Sequence, residues 1–319
     1  RYISNEWSDF DSMLIHFFNS MPKDLDQPKF GCIGIAGPIK NGNVKLTNLP
    51  WEINQNSILK ISRCEQLILL NDFSCLAYSI PFLEEHQYTL INNLRRPRKP
   101  NNDKKTYAII GAGTGLGIAR GCITNKSIEV FPSEGGHVEF SPRCDKEWDL
   151  CQWLKEDLSL KRLSIERIVS GTGLGNIARW RLSKDDAKEH PINKTIKSDI
   201  DSYNYKNFPE KVFQLSEEGD VLMKEVVDLW LSAYGSVTGD LLLHELCNDG
   251  VWLAGGTAKK HLTGLRSLTF LKALKNKGRF SDFLEKQPIM ALIDEDAGLF
   301  GAACKAYLLA VNDQAECHN

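Results

Sequence analysis

The chain has 319 residues, of which 42% are hydrophobic, and its formal net charge at pH 7 is −2. This length is enough to bury two modest cores, so the composition favours a two-domain globular protein. Lysines and arginines are spread along the chain and no long apolar run occurs, so we expect neither a nucleic-acid partner nor a membrane partner.

The nine cysteines indicate core residues rather than a metal site. No two of them form a Cys-x-x-Cys pair, the spacing typical of zinc sites and thioredoxin-type motifs. Several lie inside apolar runs, where a free cysteine behaves as a small hydrophobic side chain. We therefore expect reduced thiols, a cytoplasmic protein and no metal-ligating residue.

The first third of the chain alternates strand and helix patterns. Segments 30–37, 43–46 and 66–70 predict strands, and the first and last are too apolar on both faces to be edge strands. Helical spacing occurs in 57–62 and 72–83. This alternation is typical of a layered α/β fold.

Residues 106–132 predict three antiparallel strands in close succession. The strand candidates are 106–113, 116–123 and 127–132, separated by glycine-rich or asparagine-containing turns. The charged segment 95–105 before them contains two prolines and two asparagines, so it indicates a solvated loop.

The rest of the chain is mostly helical in pattern. The polar segment 183–214 is interpreted as a surface excursion. A strand that ends in Gly255 and Gly256 leaves room for a ligand to approach the backbone. Helices are expected at 147–158, 217–246 and 297–310, and strands at 251–256 and 288–293.

The string GTGLG occurs twice, at 113–117 and 171–175, and the two copies predict different structures. The first lies between two strands and predicts a turn whose backbone N–H groups can hold an anion, with Thr114 adding a hydroxyl donor. The second runs into a helical pattern and predicts a helix start. Neither has the spacing of a dinucleotide fingerprint or a Walker A loop, and a tight turn without a ligand stays open for each.

Three acidic side chains in predicted turns are candidates for ligand binding or proton transfer. Asp72, beside Asn71, follows a strand and starts a helix, so it is either a helix cap or a general base. Glu134 and His137 are separated by two glycines, which disfavour a helix and with it a di-metal Glu-x-x-His pair. Such a loop suits a polyhydroxylated ligand, and Glu166 is either a third contact or a surface residue.

Taken in order, these segments resemble the bacterial-type glucokinases of the hexokinase and actin-like ATPase superfamily. The resemblance extends from about residue 1 to 312 and is specific as a set, although each motif alone is weak. The motifs are AGP (36–38), TN..W (47–51), NDF (71–73), GAGTGLG (111–117), EGGHVEF (134–140), ERIVSGTGL (166–174), AGG (254–256), KGRF (277–280) and DAGLFGAA (296–303).

The resemblance implies two ribonuclease-H-like domains of the actin-like ATPase type, with an interdomain cleft. The small domain would hold 1–107 and about 305–319, and the large domain 108–304. The implied reaction transfers the γ-phosphoryl group of ATP, bound with Mg²⁺, to the 6-hydroxyl of glucose. Glucose and ATP are thus the implied ligands, and we expect a homodimer.

The resemblance also implies a role for each matching residue. Asp72 would be the general base on the 6-hydroxyl and would itself contact the sugar. The other implied sugar-binding residues are Asn48, Asn71, Glu134, His137 and Glu166. The implied nucleotide-binding residues are Gly113, Thr114 and Gly115 at the phosphates, Gly171 and Thr172 along the nucleotide, and Gly255 and Gly256 at the adenosine.

One motif of the family has no counterpart in this sequence, namely an opening strand with an acidic D-x-G-G-T loop that contacts phosphate and Mg²⁺. Either the sequence is a piece of a longer chain, or the protein truly lacks the loop. In the second case it would be a non-catalytic sugar-binding regulator or pseudokinase, and the small domain's sheet would lose central strands. We favour the first interpretation, because the sugar and nucleotide motifs are otherwise intact.

Overall fold

A computed structural model describes residues 1–37, 39–46, 49–94, 104–125, 127–193 and 208–316. The chain divides into two compact units, each formed from segments that are separate in sequence. The first unit comprises Arg1–Gln87, Gly121–Pro132 and Asp294–Asn319, and the second comprises Tyr88–Arg120 and Ser133–Ile293.

The described residues form a mixed α/β structure. The strands are β1 (Phe30–Ile35), β2 (Asn43–Lys45), β3 (Glu52–Asn54), β4 (Gln66–Asn71), β5 (Tyr88–Leu90), β6 (Lys104–Ala112), β7 (Leu116–Thr124), β8 (Ile128–Ser133), β9 (Val251–Ala254) and β10 (Ile289–Leu292). The α-helices are α1 (Phe10–Asn19), α2 (Gln55–Ser62), α3 (Asp72–Ser79), α4 (Asp145–Asp157), α5 (Gly171–Leu182), α6 (Phe208–Glu217), α7 (Val221–Glu245), α8 (Gly256–Lys260), α9 (Leu262–Leu265), α10 (Leu268–Lys275), α11 (Ser281–Glu285) and α12 (Ala297–Glu316).

The first unit is built on a parallel pair, β1 and β4, in which Phe30 pairs with Gln66 and Ile35 with Asn71. Both strands were predicted, but the expectation that neither is an edge is wrong for the described residues, where each has one strand partner. Helices α3 and α12 pack against β1 and each other, so helices rather than further strands cover the apolar side chains there.

A six-stranded mixed sheet contains the predicted meander and lies in the order β5-β10-β9-β6-β7-β8. Strands β6 and β9 are parallel, with Ala108 opposite Val251, and β10 is parallel to β9. Strand β5 closes one edge antiparallel to β10. Because only three residues separate the neighbouring strands β6 and β7, these two run antiparallel, which confirms the predicted turn between them.

Helices α4, α5 and α7 confirm the helical patterns at 147–158, after Gly171, and at 217–246. The interpretation of 183–214 as a surface excursion is wrong for its end, because α6 begins at Phe208. Residues 194–207 lie outside the described part of the chain. The helix buries Phe208, Val212 and Phe213, whose spacing places them on one face.

Helices α7 and α10 approach each other closely in the core of the second unit. A Cβ atom added to Gly235 would lie 2.2 Å from the carbonyl oxygen of Phe270. One turn further along α7, a Cβ on Gly239 would lie 2.2 Å from the carbonyl oxygen of Leu274. No helix in the described part of the chain is both long enough and apolar enough to cross a membrane.

Candidate functional site

In the first unit, the candidate residues lie where β4 ends and α3 begins. The side-chain oxygen of Asn71 accepts hydrogen bonds from the N–H groups of Phe73 (2.9 Å) and Ser74 (3.4 Å), so Asn71 is the N-cap of α3. Asp72 is the first helical residue and is exposed. The interpretation of Asp72 as the cap is therefore wrong, since its neighbour fills that position.

The Asp72 carboxylate keeps one oxygen available. Its Oδ1 accepts from the Phe73 N–H at 2.8 Å, and no described residue contacts Oδ2 through a hydrogen bond. The thiol of Cys75 lies one turn further on, and a hydrogen bond with Cys32, together with burial, raises its pKa. Cys75 thus stays neutral beside the start of this helix.

In the second unit, the two GTGLG strings contact each other. The turn Gly113–Gly115 closes on itself through a hydrogen bond from the Gly113 N–H to the Gly115 carbonyl oxygen (2.8 Å). The N–H of Gly171 donates to the Gly113 carbonyl at 2.7 Å, and the Thr172 hydroxyl donates to the Thr114 carbonyl at 3.0 Å. The start of α5 therefore supports the turn.

These contacts leave donors of the turn available for a ligand. The N–H groups of Thr114 and Gly115 have no hydrogen-bond acceptor among the described residues, and the Thr114 side chain is exposed. A Cβ added to Gly113 would meet no atom within 4 Å, so there is open space beside the turn. Adjacent backbone N–H groups of this kind bind anions such as phosphate.

The glycine pair after β9 lies against the last residue of β6. Gly255 has a φ of +84°, and a Cβ there would be 3.1 Å from the Ala112 carbonyl oxygen, so the position requires glycine. A Cβ on Gly256 would meet no atom within 4 Å. The hydroxyl of Thr257 donates to the same Ala112 carbonyl, a contact that the sequence motifs did not reveal.

Glu166 lies beneath the first GTGLG turn. Its Oε2 accepts a hydrogen bond from the N–H of Leu116 at 3.0 Å, and the side chain is half-buried. A Cβ on Gly115 would lie 2.6 Å from the same oxygen. The alternative of a solvated surface glutamate is therefore wrong.

The start of α5 depends on a serine that was not predicted. The Ser170 hydroxyl accepts from the Gly173 N–H at 2.9 Å and donates to the Glu166 carbonyl at 2.7 Å. The Ser170 carbonyl in turn accepts from the indole of Trp230 at 3.0 Å. A serine just before a glycine-rich helix start is the sequence signal that would have identified this cap.

Glu134 directly precedes a short 3-10 turn, Gly135–His137, and His137 is the last residue of that turn, so an α-helix is absent here, as the glycines predicted. The side chains of Glu134 and His137 are 85% and 55% exposed, and Oε2 of the first lies 3.7 Å from Nε2 of the second. The backbone is fixed from beneath, because a Cβ on Gly136 would lie only 2.3 Å from the Leu116 carbonyl oxygen. The carboxylate and the imidazole thus face solvent from a fixed loop.

The second unit therefore brings most of the candidates together around the turn between β6 and β7. Asn71 and Asp72 form a separate cluster in the first unit. Asn48 lies outside the described residues. Among the residues described, no group of three or more His, Cys, Asp or Glu side chains could hold a metal ion.

A protein-family model described as Glucokinase matches residues 1–308. A glucokinase of Nostoc punctiforme is 33% identical over 289 residues, which cover 88% of this chain and 83% of that protein. A glucokinase of Synechocystis sp. is 33% identical over 282 residues, which cover 85% of this chain and 77% of that protein. The matches extend well beyond the candidate site.

Solved structures show the same fold. A glucokinase from an Antarctic psychrotroph has a TM-score of 0.79 at 24% identity, covering 96% of this chain and 88% of that one. A Balamuthia mandrillaris glucokinase, solved with glucose, has a TM-score of 0.68 at 20% identity, covering 93% of this chain and 83% of that one. A ROK-family glucokinase from Streptomyces griseus, solved with glucose and AMPPNP, has a TM-score of 0.56 at 18% identity, covering 93% of this chain and 87% of that one. The fold is thus a mixed α/β sugar-kinase fold.

Proposed function

The chain belongs to the glucokinase family, whose members phosphorylate glucose, and we propose that Asp72 is the general base of this reaction. The phosphoryl donor is ATP and the acceptor is the 6-hydroxyl of the sugar. Relatives named glucokinase match most of the chain, which supports turnover, and nothing among them supports the non-catalytic regulator considered as the alternative.

The observation that carries this proposal is the available oxygen of Asp72 at the C-terminal end of β4. In the reaction, the 6-hydroxyl oxygen attacks the γ-phosphorus, the bond from that phosphorus to the β–γ bridging oxygen breaks, and the hydroxyl proton moves to the Asp72 carboxylate. Kinases depend chiefly on such positioning and on electrostatic stabilisation, because the transferred group passes through a loose transition state.

We assign Asn71 to a sugar hydroxyl as a donor. Its side-chain oxygen is already used by two backbone N–H groups of α3, which leaves the NH₂ group for the ligand. Glu134, His137 and Glu166, together with Asn48, bind the remaining hydroxyls. Each buried polar group that pairs with a hydroxyl makes an analogue lacking that hydroxyl bind less well.

The glycine segments bind the nucleotide. Gly113, Thr114 and Gly115 would receive the phosphates, because the turn has N–H donors without acceptors among the described residues. Gly171 and Thr172 line the nucleotide, and the pair Gly255 and Gly256 leaves room for adenosine. Mg²⁺ would arrive on the ATP phosphates, and we assign no residue to it, since N–H donors bind anions rather than cations.

We also propose the family's domain organisation for this chain. The small domain would contain 1–107 and about 305–319, the large domain 108–304, and both would be ribonuclease-H-like, with the substrates in the cleft. The compact units described above differ from these bounds, because they place 88–107 in the second unit and 121–132 and 294–304 in the first. Small-angle scattering with and without glucose tests the cleft, because closure on the sugar reduces the radius of gyration. Sedimentation equilibrium tests the homodimer that we expect.

The variant Asp72→Asn tests the assigned base. It should bind glucose with nearly unchanged affinity by calorimetry, while the rate of glucose-6-phosphate formation in a coupled assay falls about 10²- to 10⁴-fold. Asp145→Asn is the matched control, because Asp145 is an exposed aspartate in the first turn of α4 with no assigned role, and it should keep full turnover. Retained turnover in Asp72→Asn would exclude Asp72 as the base.

A further inference from the structure

Glu166 contacts the phosphate-binding turn directly through its carboxylate. The Oε2 atom accepts from the N–H of Leu116 at 3.0 Å, at the residue where the turn becomes β7. The same oxygen lies 2.6 Å from the position of a Cβ on Gly115. The carboxylate is therefore packed against the two residues that end the turn.

The other described anchors of the turn are uncharged. The carbonyls of Gly113 and Thr114 accept from the start of α5, and the Ala112 carbonyl accepts from the hydroxyl of Thr257. Hydrogen bonds to a charged group are stronger than those between neutral groups. Among these anchors, the Glu166 carboxylate thus has the greatest influence on where the free N–H groups point.

One oxygen of this carboxylate remains available. No described residue donates to Oε1 of Glu166, and an ionised carboxylate can accept several hydrogen bonds across its two oxygens. We propose that Glu166 is shared by the two substrates, with Oε2 positioning the phosphate-binding turn and Oε1 accepting from a sugar hydroxyl. This inference rests on the sugar-binding role of Glu166 proposed above.

A shared carboxylate couples the two binding sites. A sugar that fixes the Glu166 side chain also fixes the Leu116 N–H and with it the turn, so nucleotide binds more tightly to the sugar-bound enzyme. Linkage requires the reciprocal effect, in which nucleotide strengthens sugar binding by the same factor. Glu166 is in this sense a positioning residue for phosphate as well as a ligand for sugar.

Two glycines of the turn provide a matched pair of probes. A Cβ on Gly115 would displace the end of the flexible Glu166 side chain, whereas a Cβ on Gly113 would meet no atom within 4 Å. We therefore expect Gly115→Ala to raise the Kd for glucose about tenfold, measured by calorimetry without nucleotide. Gly113→Ala should leave that Kd within about twofold of the wild-type value.

Substitution of Glu166 itself supplies the reciprocal measurement. Glu166→Ala should raise the Kd for AMPPNP about tenfold in the absence of sugar. Glu166→Gln should recover only part of that loss, because the amide oxygen can still accept from Leu116 but carries no charge, while its glucose affinity stays reduced. Glu134→Gln should weaken glucose binding alone, since its described contacts do not include the turn.

The two measurements separate the inference from the function on which it rests. The inference is overturned if Glu166→Ala leaves sugar-free AMPPNP binding unchanged, or if Gly115→Ala leaves glucose binding unchanged while the Glu166 variants weaken it. The sugar-binding role is rejected instead if both Glu166 variants keep the wild-type affinity for glucose while Glu166→Ala binds AMPPNP less tightly. If Glu166→Ala does not fold, as judged by circular dichroism, the comparison of Gly115→Ala with Gly113→Ala decides alone.

Discussion

At the scale of single residues, Gly136 shows how the loop that carries Glu134 and His137 is fixed. A Cβ there would lie 2.3 Å from the Leu116 carbonyl oxygen, and a backbone atom within a sheet cannot move aside easily. Gly135→Ala is a milder change, because its Cβ would meet only the side chains of Ile118 and Ser133, both at 3.1 Å. The second glycine of the pair is thus required by packing.

We expect Gly136→Ala to lower the free energy of unfolding by about 1–3 kcal/mol and to weaken glucose binding, because the loop must shift. Gly135→Ala should have a smaller effect on both quantities. Urea unfolding and glucose calorimetry on the two variants check this expectation. Equal effects would contradict the packing explanation.

The residue types of the site could be predicted from the sequence, but their partners could not. Asp72, Glu134 and His137 stand out because polar groups beside glycines or strand ends are typical of ligand sites. The contact between Glu166 and Leu116 joins residues that are 50 positions apart, and Thr257 reaches a carbonyl 145 positions away. Such pairs depend on the tertiary fold, which local spacing does not encode.

At the scale of elements, the packing of α7 on α10 depends on glycine. Gly235 leaves only enough room for the Phe270 carbonyl, so the two helices approach through backbone rather than through side chains. In α12, by contrast, a Cβ on Gly298 would meet only Leu76, at 3.8 Å. The packing therefore excludes a Cβ atom at Gly235 but leaves room for one at Gly298.

Gly235→Ala should lower the free energy of unfolding by about 1–3 kcal/mol, because the added methyl group forces α7 and α10 apart. Gly298→Ala should raise it by about 0.5–1 kcal/mol, because alanine favours the helix and the space is available. Guanidinium unfolding of both variants provides the measurement. A stabilised Gly235→Ala protein would contradict the described helix contact.

Elements with a long, regular pattern were predicted best. The strands β1, β4, β6, β7 and β8 and the helices α2 to α5 follow their apolar periodicity. Helix α6 was missed because its three buried residues stand at the end of a polar segment. The three-residue strands β3 and β5 form only because β2 and β10 supply their hydrogen-bond partners. The local sequence pattern does not predict these partners.

At the scale of the whole molecule, stability should depend on pH through His261. The imidazole ring stacks on Phe213, with ring centroids 3.4 Å apart, and burial lowers the pKa of His261 to about 4. In the unfolded chain its pKa returns to about 6.5. Between these values the unfolded state binds more protons, so stability falls as the pH falls from 6.5 through 4 and is constant above that window.

Between pH 7 and pH 5, the urea midpoint of the variant His261→Phe should therefore decrease less than that of the wild type. Phenylalanine keeps an aromatic ring at this position but cannot be protonated. His244→Gln is the control, because His244 is exposed on α7 and its replacement should leave the pH dependence unchanged. An identical decrease in His261→Phe and wild type would show that another group causes it.

The order of the six-stranded sheet also determines when this protein can fold during its synthesis. Strand β6 pairs with β9, which is synthesised much later. Strand β5 pairs with β10, which is synthesised after almost all of the other described elements. Pairings between such distant segments form slowly. We therefore expect the backbone N–H and C=O groups on one edge of β6 to stay without their partner strand in the growing chain until residues 251–254 emerge from the ribosome.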